Sequence, residues 1–137
     1  MRNKQNYLIT GGEGFIGSHT VDELSKLEKV NKIFVIDNFS NGSLSNLKKH
    51  KKNKKIELIN KDINLSYENA KLFREIDNII HYAFSGSIVP SIEHPKKYFK
   101  DNLSGTINIL ECARKNKVKN FVYAASSSCY GLANTPT

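Results

Sequence analysis

Three glycines at intervals of three residues constrain the fold of this chain more than any other feature. They are Gly11, Gly14 and Gly17, and they directly follow the apolar run Asn6–Thr10. A helical pattern follows, in which Ile16, Thr20, Leu24 and Leu27 share one face. A glycine turn between a strand and a helix is typical of dinucleotide binding: the first glycine permits the tight turn, the second admits the pyrophosphate, and the third lets the helix pack on the strand. The first helical amides, at Phe15 and Ile16, would then hold the phosphates.

Apolar runs of strand length alternate with helical patterns along the rest of the chain. Strands are predicted at residues 6–10, 32–36, 55–59, 77–81 and 120–124. A short helix is predicted at 66–74, loops at 38–45 and 84–91, and a long helix after Pro95 in which Phe99, Leu103, Thr106, Leu110 and Ala113 share a face. Strands joined by helical crossovers form a parallel sheet covered on both sides. We therefore expect an α/β fold, a doubly wound parallel sheet truncated after its fifth strand, with ligands at the carboxyl ends of the strands.

A carboxylate follows the second predicted strand where a dinucleotide's ribose is recognised. Asp37 stands twenty residues after Gly17 and would accept hydrogen bonds from the adenosine ribose hydroxyls. It would also repel the 2′-phosphate of NADP. The next residues contain no arginine to bind such a phosphate; they are Asn38, Phe39, Ser40, Asn41 and Gly42. The sequence therefore predicts NAD as the cofactor.

Composition and charge indicate one globular domain without a nucleic-acid partner. The chain has 137 residues, 39% of them hydrophobic, and a formal charge of +8. Much of this charge lies in the lysine tract 48–55, which has no interleaved aromatic residue or arginine, so we interpret it as solvated surface. No apolar stretch is long enough to cross a bilayer, and the N-terminus lacks the apolar segment of a secretory signal. We expect a cytoplasmic protein with no membrane contact.

The two cysteines carry no sign of a metal or redox site. Cys112 lies among apolar helix positions and Cys129 follows a serine run. Neither has the spacing of a Cys-x-x-Cys pair or a zinc ligand, so we expect no metal and interpret both as small buried side chains.

Further motifs, in order along nearly the whole chain, resemble the extended short-chain dehydrogenase/reductase family. They are Thr10–Gly17, Asp37–Gly42, Asp62–Ile63, His81–Ala83, Asn102–Thr106 and Ala125–Gly131. The similarity is greatest to nucleotide-sugar epimerases of the UDP-glucose 4-epimerase type. It implies that residues 1–137 are the N-terminal portion of an NAD-binding Rossmann domain without the substrate domain. It also implies a nucleotide-sugar substrate and a possible homodimer.

The resemblance assigns roles to individual positions. Asp62 and Ile63 would contact the adenine, Tyr82 and Ala83 would line the nicotinamide-ribose side, and Asn102 would reach the cofactor from the long helix. With them, the implied cofactor-binding set comprises Gly11, Gly14, Phe15, Ile16, Gly17, Asp37, Asn38, Ser40, Asn41, Gly42 and Phe84. Ser126 matches the family's catalytic Ser/Thr, which hydrogen-bonds the sugar hydroxyl being oxidised, and Ser127 could share that task.

The serine run also bears on the type of reaction. Sugar dehydratases of this family tend to carry an acidic residue just before the Tyr-Gly pair, whereas Ser127, Ser128 and Cys129 precede Tyr130 here. The run therefore favours epimerisation over dehydration.

The family's general base is a tyrosine with a lysine four residues later, and that pair would lie beyond Thr137. Tyr67 and Lys71 have the spacing but come too early in the chain, so we interpret them as chance. Two hypotheses stay open: the chain is the cofactor-binding half of an NAD-dependent nucleotide-sugar epimerase, or it is a catalytically inactive NAD-binding fragment. A basic nucleic-acid-binding domain ranks last.

Overall fold

Five parallel strands form one sheet in the computed structural model, which describes residues 4–65 and 71–131 apart from the side chain of Ser128. The strands are β1 Gln5–Thr10, β2 Val30–Asp37, β3 Ile56–Asn60, β4 Asn78–His81 and β5 Asn120–Tyr123. They lie side by side in the order β3-β2-β1-β4-β5, all in parallel register. The doubly wound parallel sheet predicted from the sequence is confirmed, with strand bounds within two residues of those expected.

Helices cover both faces of this sheet. They are α1 Phe15–Lys26, α2 Ile88–Glu93, α3 Pro95–Tyr98 and α4 Gly105–Lys115, and a π-helical turn, Phe99–Ser104, joins α3 to α4. Shorter 3₁₀ turns span Leu44–His50, Lys71–Glu75 and Ser127–Tyr130. The predicted loops 38–45 and 84–91 were partly wrong, because a 3₁₀ turn begins at Leu44 and α2 begins at Ile88. Of the predicted helix 66–74, residues 66–70, including Tyr67, lie outside the described residues.

The core lies in two layers, one on each face of the sheet. Successive strand residues point to opposite faces, so Leu8 packs with Ile79 and Ile109 on one side while Ile9 packs with Val21 on the other. All five side chains are fully buried. The central strands are therefore apolar on both faces, as expected for a parallel sheet.

The sheet-facing side of α1 differs from the predicted stripe. Gly17, Ser18 and Val21 are its buried residues, whereas Ile16 is 61% exposed. The reason is the turn: a Cβ at Gly17 would lie 2.2 Å from the carbonyl oxygen of Gly11, so this position packs directly on the turn and fixes the rotation of the helix. Ile16 is thereby turned out at the carboxyl edge of the sheet.

The long helix is also rotated relative to its predicted stripe. Gly105, Ile109, Cys112 and Ala113 are buried in α4, whereas Phe99 and Leu103 are 61% and 48% exposed. The π-helical turn changes the helical phase at this point, and Gly105 packs closely on the side chain of Ile63, whose Cδ1 would lie 2.5 Å from a Cβ at position 105. Cys112 is buried as predicted, but the prediction was wrong for Cys129, which is exposed on a 3₁₀ turn.

The order of the strands in the sheet determines where a ligand crevice opens. It reverses between β1 and β4, so the connections leaving these two strands diverge and open a crevice at the carboxyl ends. Every glycine, serine and carboxylate loop predicted to carry function lies at this edge. In the described part of the chain, no helix is long and apolar enough to span a membrane.

Candidate cofactor-binding site

The glycine turn is held by close backbone packing. Gly11 has a φ of +68°, in the left-handed region that favours glycine, and a Cβ there would lie 2.7 Å from the amide nitrogen of Ala83. Its own amide donates to the carbonyl oxygen of Ile36 at 2.9 Å. The turn between β1 and α1 is thus wedged between the ends of β2 and β4.

Gly14 differs from Gly11 because the position that a Cβ would occupy faces a cavity. A Cβ there would meet only the carbonyl oxygen of Gly11, at 3.2 Å, and otherwise open space. Gly14 is also the N-cap of α1, which has no side-chain cap, so the amides of Phe15 and Ile16 in the first turn lack an acceptor within the helix. A twelve-residue helix whose amides point at an open glycine surface fits a phosphate group.

Asp37 is fixed at the end of β2 by two backbone amides. Its Oδ2 accepts from the amide of Glu13 at 3.0 Å and its Oδ1 from the amide of Phe39 at 2.9 Å. Phe39 has a φ of 58°, an uncommon conformation for a non-glycine residue, and it turns the chain sharply after the strand. Each carboxylate oxygen keeps a second lone pair for a ligand hydroxyl. Asp37 is therefore preorganised where the sequence predicts ribose recognition.

Asp62 closes the same cavity from the loop after β3. Its Oδ1 accepts from the amide and side chain of Asn64, at 2.8 and 2.9 Å, and its Oδ2 from Asn38 Nδ2 at 3.2 Å. Partial burial works to raise the pKa of Asp62, but these hydrogen bonds and the charge of Lys100 outweigh it and hold the pKa below its usual value. An ionised Asp62 thus ties the loop after β2 to the loop after β3.

The cavity brings together most of the predicted cofactor residues. Residues lining it that the sequence predicts are Gly11, Gly14, Asp37, Asn38, Ser40, Asn41, Gly42, Asp62, Ile63, Tyr82, Ala83 and Phe84. Five further residues also line it and were missed: Ile36, Lys61, Asn64, Ser85 and Asp101. Each directly adjoins a predicted position in the sequence, a signal that could have found them.

A second cavity lies beside the first, over β4 and β5. Ser126 and Ser127 line it together with Tyr123 and Asn102, and Phe84 and Ser85 border both cavities. We call the two cavities together the carboxyl-edge groove. It runs from Asp37 and Asp62 at one end to the predicted catalytic serines at the other, across the point where the strand order reverses.

Asn102 forms hydrogen bonds to Ser85, which lies in the wall between the two cavities. Its Oδ1 accepts from the amide of Ser85 at 2.7 Å, and its Nδ2 donates to the carbonyl of Ser85 at 2.9 Å. Asp101, the preceding residue on the π-helical turn, accepts from the Ser85 hydroxyl at 3.1 Å. Two neighbouring helix residues thus fix the segment that separates the cavities, which gives Asn102 a structural task besides the predicted cofactor contact.

His81 ties three elements together beneath the groove. Its Nδ1 lies 2.7 Å from Thr10 Oγ1 on β1, and its Nε2 lies 3.0 Å from Thr106 Oγ1 on α4. Burial lowers the pKa of His81 to about 4, so the imidazole is neutral at pH 7. A neutral ring can donate through one nitrogen and accept through the other, as these two contacts require.

The lysine tract lies away from these cavities, in and after the 3₁₀ turn Leu44–His50. Lys49 and His50 contact the two oxygens of Asp22 on α1 at 2.5 and 2.6 Å, which fastens the turn to the helix. Part of the tract therefore has a structural role on the surface.

A parallel sheet with a glycine turn, an uncapped helix start and an acidic residue after β2 defines the class of dinucleotide-binding α/β domains. The chain matches the model of the NAD-dependent epimerase/dehydratase family over residues 7–137. It belongs to that family.

The similarity extends to individual relatives and solved structures. UDP-glucose 4-epimerase uge1 of Schizosaccharomyces pombe is 36% identical over 133 residues, which cover 94% of this chain and 37% of the relative. The structure of UDP-N-acetylglucosamine 4-epimerase from Methanobrevibacter ruminantium, in complex with UDP-N-acetylmuramic acid, superposes with a TM-score of 0.88 at 30% identity, over 98% of this chain and 42% of that one. DesIV, a dTDP-glucose 4,6-dehydratase from Streptomyces venezuelae with NAD bound, gives 0.86 at 27%, over 96% and 42%. The chain thus spans about two fifths of the length of these proteins.

Proposed function

We propose that this chain binds NAD in the carboxyl-edge groove and forms the cofactor-binding half of an epimerase that acts on a nucleotide sugar, with a UDP-sugar as the first candidate. The observation that carries this is the groove itself, which joins Asp37 and the glycine turn at one end to Ser126 at the other. A dinucleotide bound across the strand-order reversal would place its two halves at these two ends.

Each part of the groove has a definite task in this proposal. The amides of Phe15 and Ile16 hold the pyrophosphate over Gly14, and Asp37 accepts the ribose hydroxyls. Ser126 hydrogen-bonds the sugar hydroxyl that loses its proton, with Ser127 beside it in the same cavity. Bound NAD supplies the hydride acceptor. Asn102 and Asp101 keep the wall at Ser85 in place, so that cofactor and sugar meet at one position.

The proposal also covers the surroundings of the protein. A nucleotide-sugar substrate places it in the cytoplasm and in carbohydrate metabolism. Exposed apolar side chains on one stretch of the long helix, Phe99, Leu103, Ile107 and Leu110, would serve a homodimer contact. Sedimentation of the protein at several concentrations tests this contact, and replacing Leu103 and Ile107 by Ser would abolish the dimer.

Calorimetric titration with NAD and NADP tests the cofactor assignment. We expect saturable NAD binding by the wild type and no detectable binding by Gly14→Val, because the new side chain would fill the open space over the helix start while meeting little protein. Lys26→Val, at an exposed position of the same helix, is the control and should bind like the wild type. Unchanged NAD binding by a folded Gly14→Val variant would refute the assignment.

Product analysis tests the reaction. In the protein that carries this chain, we expect UDP-sugars to be inverted at one carbon, and Ser126→Ala to lower turnover by about 10²–10⁴-fold with NAD still bound. The similarity to the dehydratase DesIV supports a second candidate, loss of water from the sugar. A dehydrated product would establish that candidate, and NAD binding without any turnover would establish the inactive fragment.

A further inference from the structure

One carboxyl group inside the glycine turn is buried without a partner. Glu13 stands between Gly12 and Gly14 and is 0% exposed. Among the described residues, neither Oε1 nor Oε2 has a hydrogen-bond partner. Burying an ionised carboxylate in this way is very unfavourable, so the site favours the protonated form of Glu13 more than an exposed position would.

The main chain of Glu13 links the glycine turn to the rest of the adenosine end of the groove, which we define as the part lined by Gly14, Asp37 and Asp62. Its amide donates to Asp37 Oδ2, and its carbonyl accepts from Ser43 N at 3.2 Å and from Asn46 Nδ2 at 2.7 Å. Gly42 packs directly on it, since a Cβ there would lie 3.1 Å from the Cβ of Glu13. The main chain of Glu13 therefore connects the glycine turn to Asp37 and to the loop after β2, both of which line the cavity.

The charges around Glu13 favour its neutral form. Charged or titratable side chains on the elements packed around it are Lys32 and Asp37 on β2, His19, Asp22, Glu23 and Lys26 on α1, and Lys48, Lys49 and His50 on the 3₁₀ turn. Lys49 and His50 are engaged with Asp22. Burial, and after it the negative charge of Asp37, raises the pKa of Glu13.

We propose that Glu13 is a proton-binding site linked to the cofactor site, and that NAD binding draws a proton from solvent onto its carboxylate. The inference rests on the proposed function. A pyrophosphate at the amides of Phe15 and Ile16 brings negative charge within two or three residues of Glu13. This charge favours the protonated carboxyl, so the NAD complex binds the proton more tightly than the free protein does.

The linkage fixes the sign of two pH effects. Because the NAD complex holds the proton more tightly than the free protein, NAD affinity falls as the pH rises through the pKa of free, folded Glu13. The folded protein also binds this proton more tightly than the unfolded chain, whose glutamate titrates near 4.5. The contribution of Glu13 to stability therefore decreases as the pH rises from about 4.5 through the folded pKa.

Titration of NAD into the intact protein between pH 5 and pH 9, in buffers of different ionisation enthalpy, measures both affinity and proton uptake. Three proteins are compared: the wild type, Glu13→Gln and Glu23→Gln, the last removing an exposed carboxylate of α1. Wild type and Glu23→Gln should take up a fraction of a proton on binding NAD near the pKa of Glu13, and their NAD affinity should fall with rising pH by about tenfold for each unit by which NAD raises that pKa. Glu13→Gln should show neither effect. An identical pH profile and proton uptake in Glu13→Gln would overturn the inference.

Carbon-13 NMR of the wild-type side-chain carboxyl keeps the test independent of any variant's folding. Glu13 should titrate above the ordinary glutamate range in the free protein and higher still with NAD. Titration in the ordinary range in both states would also overturn the inference. NAD binding without Glu13-linked protons refutes this inference alone, whereas absence of NAD binding at every pH refutes the proposed function as well.

Discussion

The two ends of the carboxyl-edge groove differ in how far this chain encloses them. At the adenosine end, Ile33 and Ile36 of β2 are fully buried, and both oxygens of Asp37 are held by backbone amides. At the serine end, Val122 and Tyr123 of β5 are 56% and 51% exposed, and Ser126 is exposed as well. The same sheet therefore carries one enclosed end and one open end.

This difference shows which part of the site is self-contained. The adenosine end uses loops after three neighbouring strands, and each loop is bonded to the next: Glu13 to Asp37, and Asn38 to Asp62. The serine end presents apolar and hydroxyl side chains without enclosing them, including those of α2, where Ile88 is 78% exposed. The predicted cofactor contacts at the adenosine end are therefore preorganised by neighbouring loops, whereas the described residues leave the serine end open.

The largest expected effect is on stability. Ile79→Ala on β4, where the side chain is fully buried in the core, should lower the free energy of unfolding by about 2–5 kcal/mol. Val122→Ala on the neighbouring β5, half-exposed, should change it by less than about 0.5 kcal/mol. Urea unfolding of both variants measures the contrast. Equal losses would show that β5 is as well packed as β4 and would break the comparison.

The next effect is on the pH dependence of stability. The folded pKa of His81, about 4, lies below its ordinary 6.5, so the unfolded chain binds the proton more tightly. Stability from this group is complete above pH 6.5 and should fall by about 3 kcal/mol as the pH drops through 6.5 to 4. Urea unfolding of wild type and His81→Gln from pH 4 to pH 8 checks this. His81→Gln should lack this loss of stability at low pH. A wild-type curve parallel to that of His81→Gln would show that His81 does not cause it.

A smaller effect is expected on cofactor affinity at the adenosine end, and it sharpens the contrast between the two ends of the groove. Asp37→Asn should weaken NAD binding by about 10–100-fold, because it removes charged hydrogen bonds to the ribose worth about 1.5–3 kcal/mol. It should weaken NADP binding less, since the repelling charge is also lost. Glu57→Gln, an exposed change on β3, should leave both affinities unchanged. Equal loss for the two cofactors would show that Asp37 holds the loop together and does not select the cofactor.

Much of the adenosine end could be predicted from the sequence because its determinants are local. Gly11, Gly14 and Gly17 lie on one turn, and Asp37 directly ends a strand, so residue type and spacing already specify the geometry. The helix faces could not be predicted in the same way. Apolar spacing favoured Ile16 and Phe99, but the contact of Gly17 with Gly11 rotates α1, and the π-helical turn rotates the long helix.

The sequence by itself determined the order of the five strands along the chain, the glycine turn and the carboxylate at the end of β2, since each depends on neighbours within a few residues. Only the tertiary structure decided that Asn102 forms hydrogen bonds to Ser85 and that His81 bridges Thr10 and Thr106. The same holds for the burial of Glu13 beside Asp37. These contacts join residues far apart in the chain. Their burial and hydrogen bonding depend on how the strands are ordered in the sheet, which no local pattern records.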